Sequence, residues 1–145
     1  MRSREEVRVV RDDGADAAPA ERLQNAIDSF NMDVTGRRDW SPLAVFLRDR
    51  NGSLVGGVTG DVWAGWLHVK VLWVDEPLRR QGYGGRLLAE AEAIARERGC
   101  VAVHLETFSF QAPDFYRRHG YEEFGRLDGY PEGHAQFYFR KRLTG

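Results

Sequence analysis

The chain has 145 residues, 42% of them hydrophobic, which suits one ordinary domain with a single core and leaves little room for a second. Lys plus Arg total 21 against 22 for Asp plus Glu, a formal net charge of -1, so no whole-chain field draws the protein to nucleic acid or anionic lipid. The start, "MRSREEVRVVRDDG", is charged, and no run of about 18 apolar residues follows anywhere, which predicts a soluble, cytoplasmic protein.

In chain order, "VRVVRD" predicts a short strand, and "PAERLQNAIDSFNM" a helix with Leu23, Ile27 and Phe30 at helical spacing. "LAVFLRD", "LVGGVTGDV" and "WLHVKVLWV" read as three strands of an antiparallel meander, separated by Asn51-Gly52 and by a Gly, Asp and Trp cluster. "RRQGYGGRLL" follows, and "RLLAEAEAIARERG" then sets Leu87, Leu88, Ala91, Ile94 and Ala95 on one helical face, with Gly99 as its stop. "VAVHLET" is a strand, "APDFYRRHGY" a short helix between Pro113 and Gly120, and "QFYFRKRL" a closing strand. Together they predict a mixed α/β or α+β sheet with helices packed on it. The lone Cys100, between Gly99 and "VAVHL", forms no intramolecular disulfide, gives no zinc-ligand spacing and reads as a buried thiol.

The glycine segment carries the chemistry. A strand, a glycine loop and a helix make the loop amides and the helix N-terminus converge on one point, which attracts anions. Gly82, Gly84 and Gly85 lack the Cβ atoms that would hold a phosphate away from the backbone, and Arg79 and Arg80 add positive charge. A tight turn in which the glycines serve geometry alone is the other reading. No GK[ST] follows the loop and its spacing is not GxGxxG, so an NTPase and a dinucleotide fold are both poor fits.

"VLWVDEPLRRQGYGGRLL" resembles motif A of the GCN5-related N-acetyltransferases (GNATs), in which an Arg or Gln, two residues, Gly, one residue and Gly or Ala recur; here these are Arg79, Gly82 and Gly84. "FQAPDFYRRHGYEEFG" is similar to motif B, with Tyr116 ahead of the pair Gly120-Tyr121. The resemblance implies one domain over residues 7–142, a mostly antiparallel twisted sheet whose central strands splay, and acetyl-CoA as cosubstrate. It further implies pyrophosphate binding by Gln81, Gly82, Tyr83, Gly84 and Gly85 with Arg79 and Arg80 beside them, and main-chain pairing of Leu72, Trp73 and Val74 with the pantetheine arm. Many relatives place an Asn seven residues before the Tyr to hold the cofactor, where this chain has Ser109, which reaches less far.

The implied reaction is direct attack of a neutral amine on the thioester, the carbonyl polarised by the amide of Val74 or its neighbour. Tyr116 matches the family's general acid. Glu106, at the end of "VAVHLET", is the first candidate for the base, with His68, His134 or a water relay as alternatives. Bland readings stand beside these: core packing for Tyr116, an exposed strand-end carboxylate for Glu106, satisfied histidines for the other two. Trp63 and Trp66 read as half-buried hairpin residues or as a wall of the acceptor pocket. The acceptor is a small-molecule or protein amine, neither nucleic acid nor membrane is a partner, and a homodimer is compatible with the sequence. A non-catalytic acyl-CoA-binding sensor on the same fold is the competing class.

Overall fold

A computed structural model describes residues 6–143, and the chain divides into two units, residues 1–37 and 38–145. The first unit carries helix α1 (Ala18–Thr35), which starts with Pro19 in its first turn and stops at Gly36 in the left-handed conformation. Leu23, Ile27 and Phe30 form the predicted stripe, yet α1 buries no residue and all three are exposed. "VRVVRD" is not a strand: Val7, Val9 and Val10 are exposed and no ladder includes them. Strand propensity yields a strand only where a neighbour supplies the hydrogen bonds.

The second unit is a six-stranded sheet. Its strands are β1 (Ser41–Arg48), β2 (Leu54–Trp63), β3 (Trp66–Val74), β4 (Ala102–Phe108), β5 (Glu122–Asp128) and β6 (Ala135–Arg142), in the spatial order β1-β2-β3-β4-β6-β5. The meander β1-β2-β3 is antiparallel as predicted, and β3 and β4 pair in parallel across a connection that contains helix α2 (Tyr83–Glu97). Strand β5 was not anticipated from "EEFGRLD", almost all of which is exposed; its pairing with β6 defines it. The short helix α3 (Pro113–Arg118) lies between β4 and β5. No helix among the described residues is long and apolar enough to cross a membrane.

One face of the sheet holds the core. Val58, Val62, Leu67, Val69, Val103, Leu105, Phe137 and Phe139 alternate onto it and meet Leu87, Leu88, Ala91 and Ala95 of α2, the stripe predicted from the sequence. Cys100 is buried there too, and burial raises its thiol pKa. Helices α2 and α3 end in the same way. Cys100 N–H bonds Ala95 O and Gly99 N–H bonds Arg96 O; Tyr121 N–H bonds Tyr116 O and Gly120 N–H bonds Arg117 O. Gly99 and Gly120, with φ of 82° and 88°, supply the left-handed residue that each such termination needs.

A buried polar knot ties α2 to the chain that leaves α3. Glu92, 5% exposed, accepts from the Tyr121 hydroxyl at 2.9 Å and from Lys141 Nζ at 2.7 Å. Burial first, and then the neighbouring Glu92 charge, raise the Tyr121 pKa.

Candidate active site

The parallel pairing of β3 and β4 covers Trp66 to Val69 against Ala102 to Leu105 and then stops. At that point Lys70 is an extra residue in β3: Val69 opposes Gly60 and Val71 opposes Thr59, so β2 has no separate partner for Lys70. A bulge of this kind strengthens local twist. It turns the outer part of β3, Lys70 to Val74, away from Glu106, Thr107 and Phe108, and a gap opens between the two strands. The two halves of the sheet are thus splayed, as the resemblance implied.

Main-chain groups line the β3 side of the gap. Asp75 N–H bonds Val55 O, and antiparallel alternation carries that pattern back along the strand. Trp73 turns its peptide groups toward β2, whereas Leu72 and Val74 turn theirs toward the gap. The Val74 carbonyl is already taken, by Arg79 Nε at 2.8 Å. Of the three residues expected to pair with a ligand through the backbone, Leu72 and the N–H of Val74 are therefore the ones on offer. The Arg79 guanidinium also covers the Trp73 ring at 4.5 Å, and Trp73 Nε1 donates to Asp75, so Arg79 fastens the end of β3 as well as adding charge.

Beyond β3 the chain makes a turn with an unusual backbone. Arg80 has φ 66° and Gly82 φ 86°, two left-handed residues with Gln81 between them. Successive N–H groups around such residues form a concave nest. No backbone or side-chain acceptor among the described residues takes the amides of residues 80 to 85, and α2 has no side-chain cap. Six unpaired donors, the positive end of a helix of 15 residues and a cationic residue, Arg80, are gathered in this one turn. An added Cβ at Gly82 would meet nothing within 4 Å, so φ alone requires that glycine.

Gly84 and Gly85 have another reason. Both lie inside α2, which begins at Tyr83 and not after the glycines as the sequence suggested. A Cβ on Gly84 would touch the Phe115 ring at 3.4 Å, and one on Gly85 would lie 2.8 Å from His119 Nε2. The His119 ring is fixed from its other side, where Nδ1–H donates to Phe115 O at 2.8 Å. These two glycines let α3 approach the first turn of α2, bringing the two sequence motifs into contact.

Tyr116, on α3, is 8% exposed and packs its ring against Phe115, Tyr121 and Phe139. Burial pushes its pKa up to about 12, so the phenol keeps its proton through the neutral range. Among the described residues none takes its hydroxyl in a hydrogen bond.

On the face away from α2, Glu106 meets His68 across the mouth of the gap. His68 Nε2 lies 2.9 Å from Oε1 and 3.0 Å from Oε2 of the carboxylate. The His104 ring stacks on His68, with centroids 4.3 Å apart and planes 9° from parallel, and desolvation lowers its pKa, the neighbouring His68 adding to the effect. Reading the sequence alone missed His104; the "H-x-E" alternation in "VAVHLET" was its only visible trace.

The structure separates His134 and Ser109 from this group. Ser109 Oγ accepts from Ala135 N–H at 3.0 Å and lies 3.3 Å from His134 Nδ1, and the His134 ring sits edge-on to Phe110. Both residues fasten the end of β4 to the start of β6. The Ser109 hydroxyl thus already makes one main-chain bond, at the position where relatives of the resembled family carry the Asn. Trp66 makes an edge contact with His104 at the hairpin and is part exposed.

Residues 12–121 match the Acetyltransferase (GNAT) family. Blasticidin-S acetyltransferase of Streptomyces morookaense is 45% identical over 101 residues, 69% of this chain and 74% of that protein. An acetyltransferase of Agrobacterium fabrum is 33% identical over 131 residues, 90% of this chain and 96% of its own length. The crystal structure of an acetyltransferase from Bacillus cereus superposes with a TM-score of 0.83 at 37% identity, covering 93% of this chain and 97% of that one.

Proposed function

Because this chain belongs to the acetyltransferase (GNAT) family and is thereby an N-acetyltransferase, we propose that it takes the acetyl group from acetyl-CoA and delivers it directly to a small-molecule amine. The observation that carries this reading is the gap beside the β3 bulge, with a nest of free amides at one end and Glu106–His68 at its mouth.

The residues present fit an acyl-CoA by their own chemistry. Unpaired N–H groups of residues 80 to 85 suit a pyrophosphate, with Arg80 adding charge, while the inward peptide groups of Leu72 and Val74 suit an extended amide arm. Acetyl-CoA supplies the activated thioester; the remaining tasks fall to the chain. The Val74 N–H, already in the gap, is the donor placed to polarise a carbonyl there. Glu106 takes the proton from the amine, directly or through one water, and His68 holds the carboxylate in place.

Tyr116 serves the departing thiolate. With a pKa of about 12 against about 8.5 to 10 for a thiol, full proton transfer is uphill by roughly 3 to 5 kcal/mol in the empty site. Its first contribution is therefore a hydrogen bond to the sulfur, and transfer becomes feasible as charge grows there.

The 45% identity to blasticidin-S acetyltransferase makes that antibiotic the first acceptor to try. The test follows thiol release from acetyl-CoA with a panel of amines that includes blasticidin S, other antibiotics, polyamines, amino acids and a lysine peptide. Turnover with a small amine is the expected result. Acetyl-CoA binding without turnover for any amine would leave the sensor reading in its place.

A further inference from the structure

The geometry points to a binding site for one divalent transition-metal ion, of the zinc or cobalt type, formed by His68, His104 and Glu106 at the mouth of the gap. Sheet geometry alone brings the three together. His68 and His104 are directly paired residues of neighbouring parallel strands, and Glu106, two residues after His104, returns to the same face. One ligand atom from each lies within 4.8 Å of the others, on half-buried side chains that leave one side open to solvent.

The distances suit a metal. Two ligand atoms each about 2.1 Å from an ion lie about 3.0 to 3.4 Å apart for angles between 90° and the tetrahedral value. His68 Nε2 and the Glu106 carboxylate, at 2.9 and 3.0 Å, stand at the short edge of that range, so a slight parting admits an ion. The His104 ring lies parallel to that of His68 and has to turn about its last side-chain torsion to aim a nitrogen at the same point, a soft motion for an imidazole.

The surrounding charges favour a cation. Asp61, cross-strand from His68, is paired with Lys70, and Arg140, cross-strand from His104, is paired with Glu122. These four cancel in pairs, which leaves the Glu106 carboxylate and two imidazoles for an incoming ion. Two nitrogens and one oxygen with open positions select zinc, cobalt, nickel or copper over magnesium or calcium, which prefer oxygen ligands throughout.

A consequence rests on the proposed function: an ion held by Glu106 occupies the group that receives the amine's proton. The metal would then inhibit acetyl transfer and compete with the acceptor, leaving acetyl-CoA binding unaffected.

The test uses Co2+ as the probe and the untagged full chain, with no acetyl-CoA or acceptor present. Visible absorption reports the coordination directly, so the result does not depend on any activity. The wild type is expected to bind one Co2+, with saturation below about 100 μM, and His104→Gln and Glu106→Gln, each checked for fold by circular dichroism, to weaken binding about tenfold or more. No saturable binding by the wild type, or wild-type affinity in either folded variant, overturns the site. Zinc inhibition is then measured separately. Metal binding without competition against the acceptor would sink the proposed placement of the amine while leaving the metal site intact.

Discussion

Replacing Tyr116 by Phe removes a single oxygen and keeps the ring against Phe115, Tyr121 and Phe139, with centroids 5.1, 5.8 and 6.1 Å away. Stability at pH 7 is expected to change by less than about 1 kcal/mol, because no partner among the described residues loses a hydrogen bond. At high pH the two proteins should diverge. Burial raises the phenol from 10.0 to about 12, so the native state keeps a proton that the unfolded chain releases. That contribution is complete below pH 10 and is lost as the pH rises through 12. Two pKa units correspond to about 2.7 kcal/mol. The wild type should therefore lose about 2.3 kcal/mol more stability than Tyr116→Phe between pH 9 and 12, measured by urea unfolding; Tyr121, raised chiefly by its own burial and by Glu92 and only in lesser part by Tyr116, drops out of most of the difference. Turnover at neutral pH should fall by about a hundredfold or more while acetyl-CoA affinity, read by calorimetry, stays within about threefold. Wild-type turnover would reduce Tyr116 to a core ring, and equal loss of stability at high pH would refute its burial as the cause of the raised pKa.

Glu106→Gln should depress kcat/KM most at neutral pH and recover toward wild type as the acceptor amine loses its proton to solvent near pH 10. A loss constant across that range would assign the carboxylate to binding the cationic amine, and no loss would leave the proton to His68 or water. Gly60→Ala should lower stability by about 3 kcal/mol or more and the melting temperature by about 10 °C, because a Cβ there collides with the His68 carbonyl oxygen and the Leu67 side chain in the paired part of β3. A melting temperature within about 2 °C of wild type would show that the bulge next to Gly60 absorbs the clash.

What the sequence revealed, and what it hid, divides by the range of the interactions. The turn before α2 was legible because its requirement is local: Gly82 needs a positive φ and the amides follow from its neighbours. The helix stops at Gly99 and Gly120 were legible for the same reason. "VRVVRD" was misread as a strand and "EEFGRLD" was passed over, for opposite reasons. The first has strand composition but no partner, and the second has almost no buried face yet is a strand because β6 lies beside it. Glu106 and His68 were visible as separate candidates; that they touch, and that His104 joins them, depends on the register between strands separated by the whole of α2. The reason for Gly84 and Gly85 was likewise out of reach, since Phe115 and His119 arrive from the far side of β4.

Contact between those glycines and α3 couples the amide turn to the helix that carries Tyr116. Helix α3 has six residues, too few to hold a fixed orientation by its own hydrogen bonds, so it borrows one from the first turn of α2 through Phe115 and His119. Tyr116 lies between those two residues in the chain, so its aim is set jointly by that turn and by the rings of Tyr121 and Phe139. A side chain larger than hydrogen at position 85 would tilt that aim without touching the phenol. The two stretches are packed as one unit, so a change of volume in either is felt by the other.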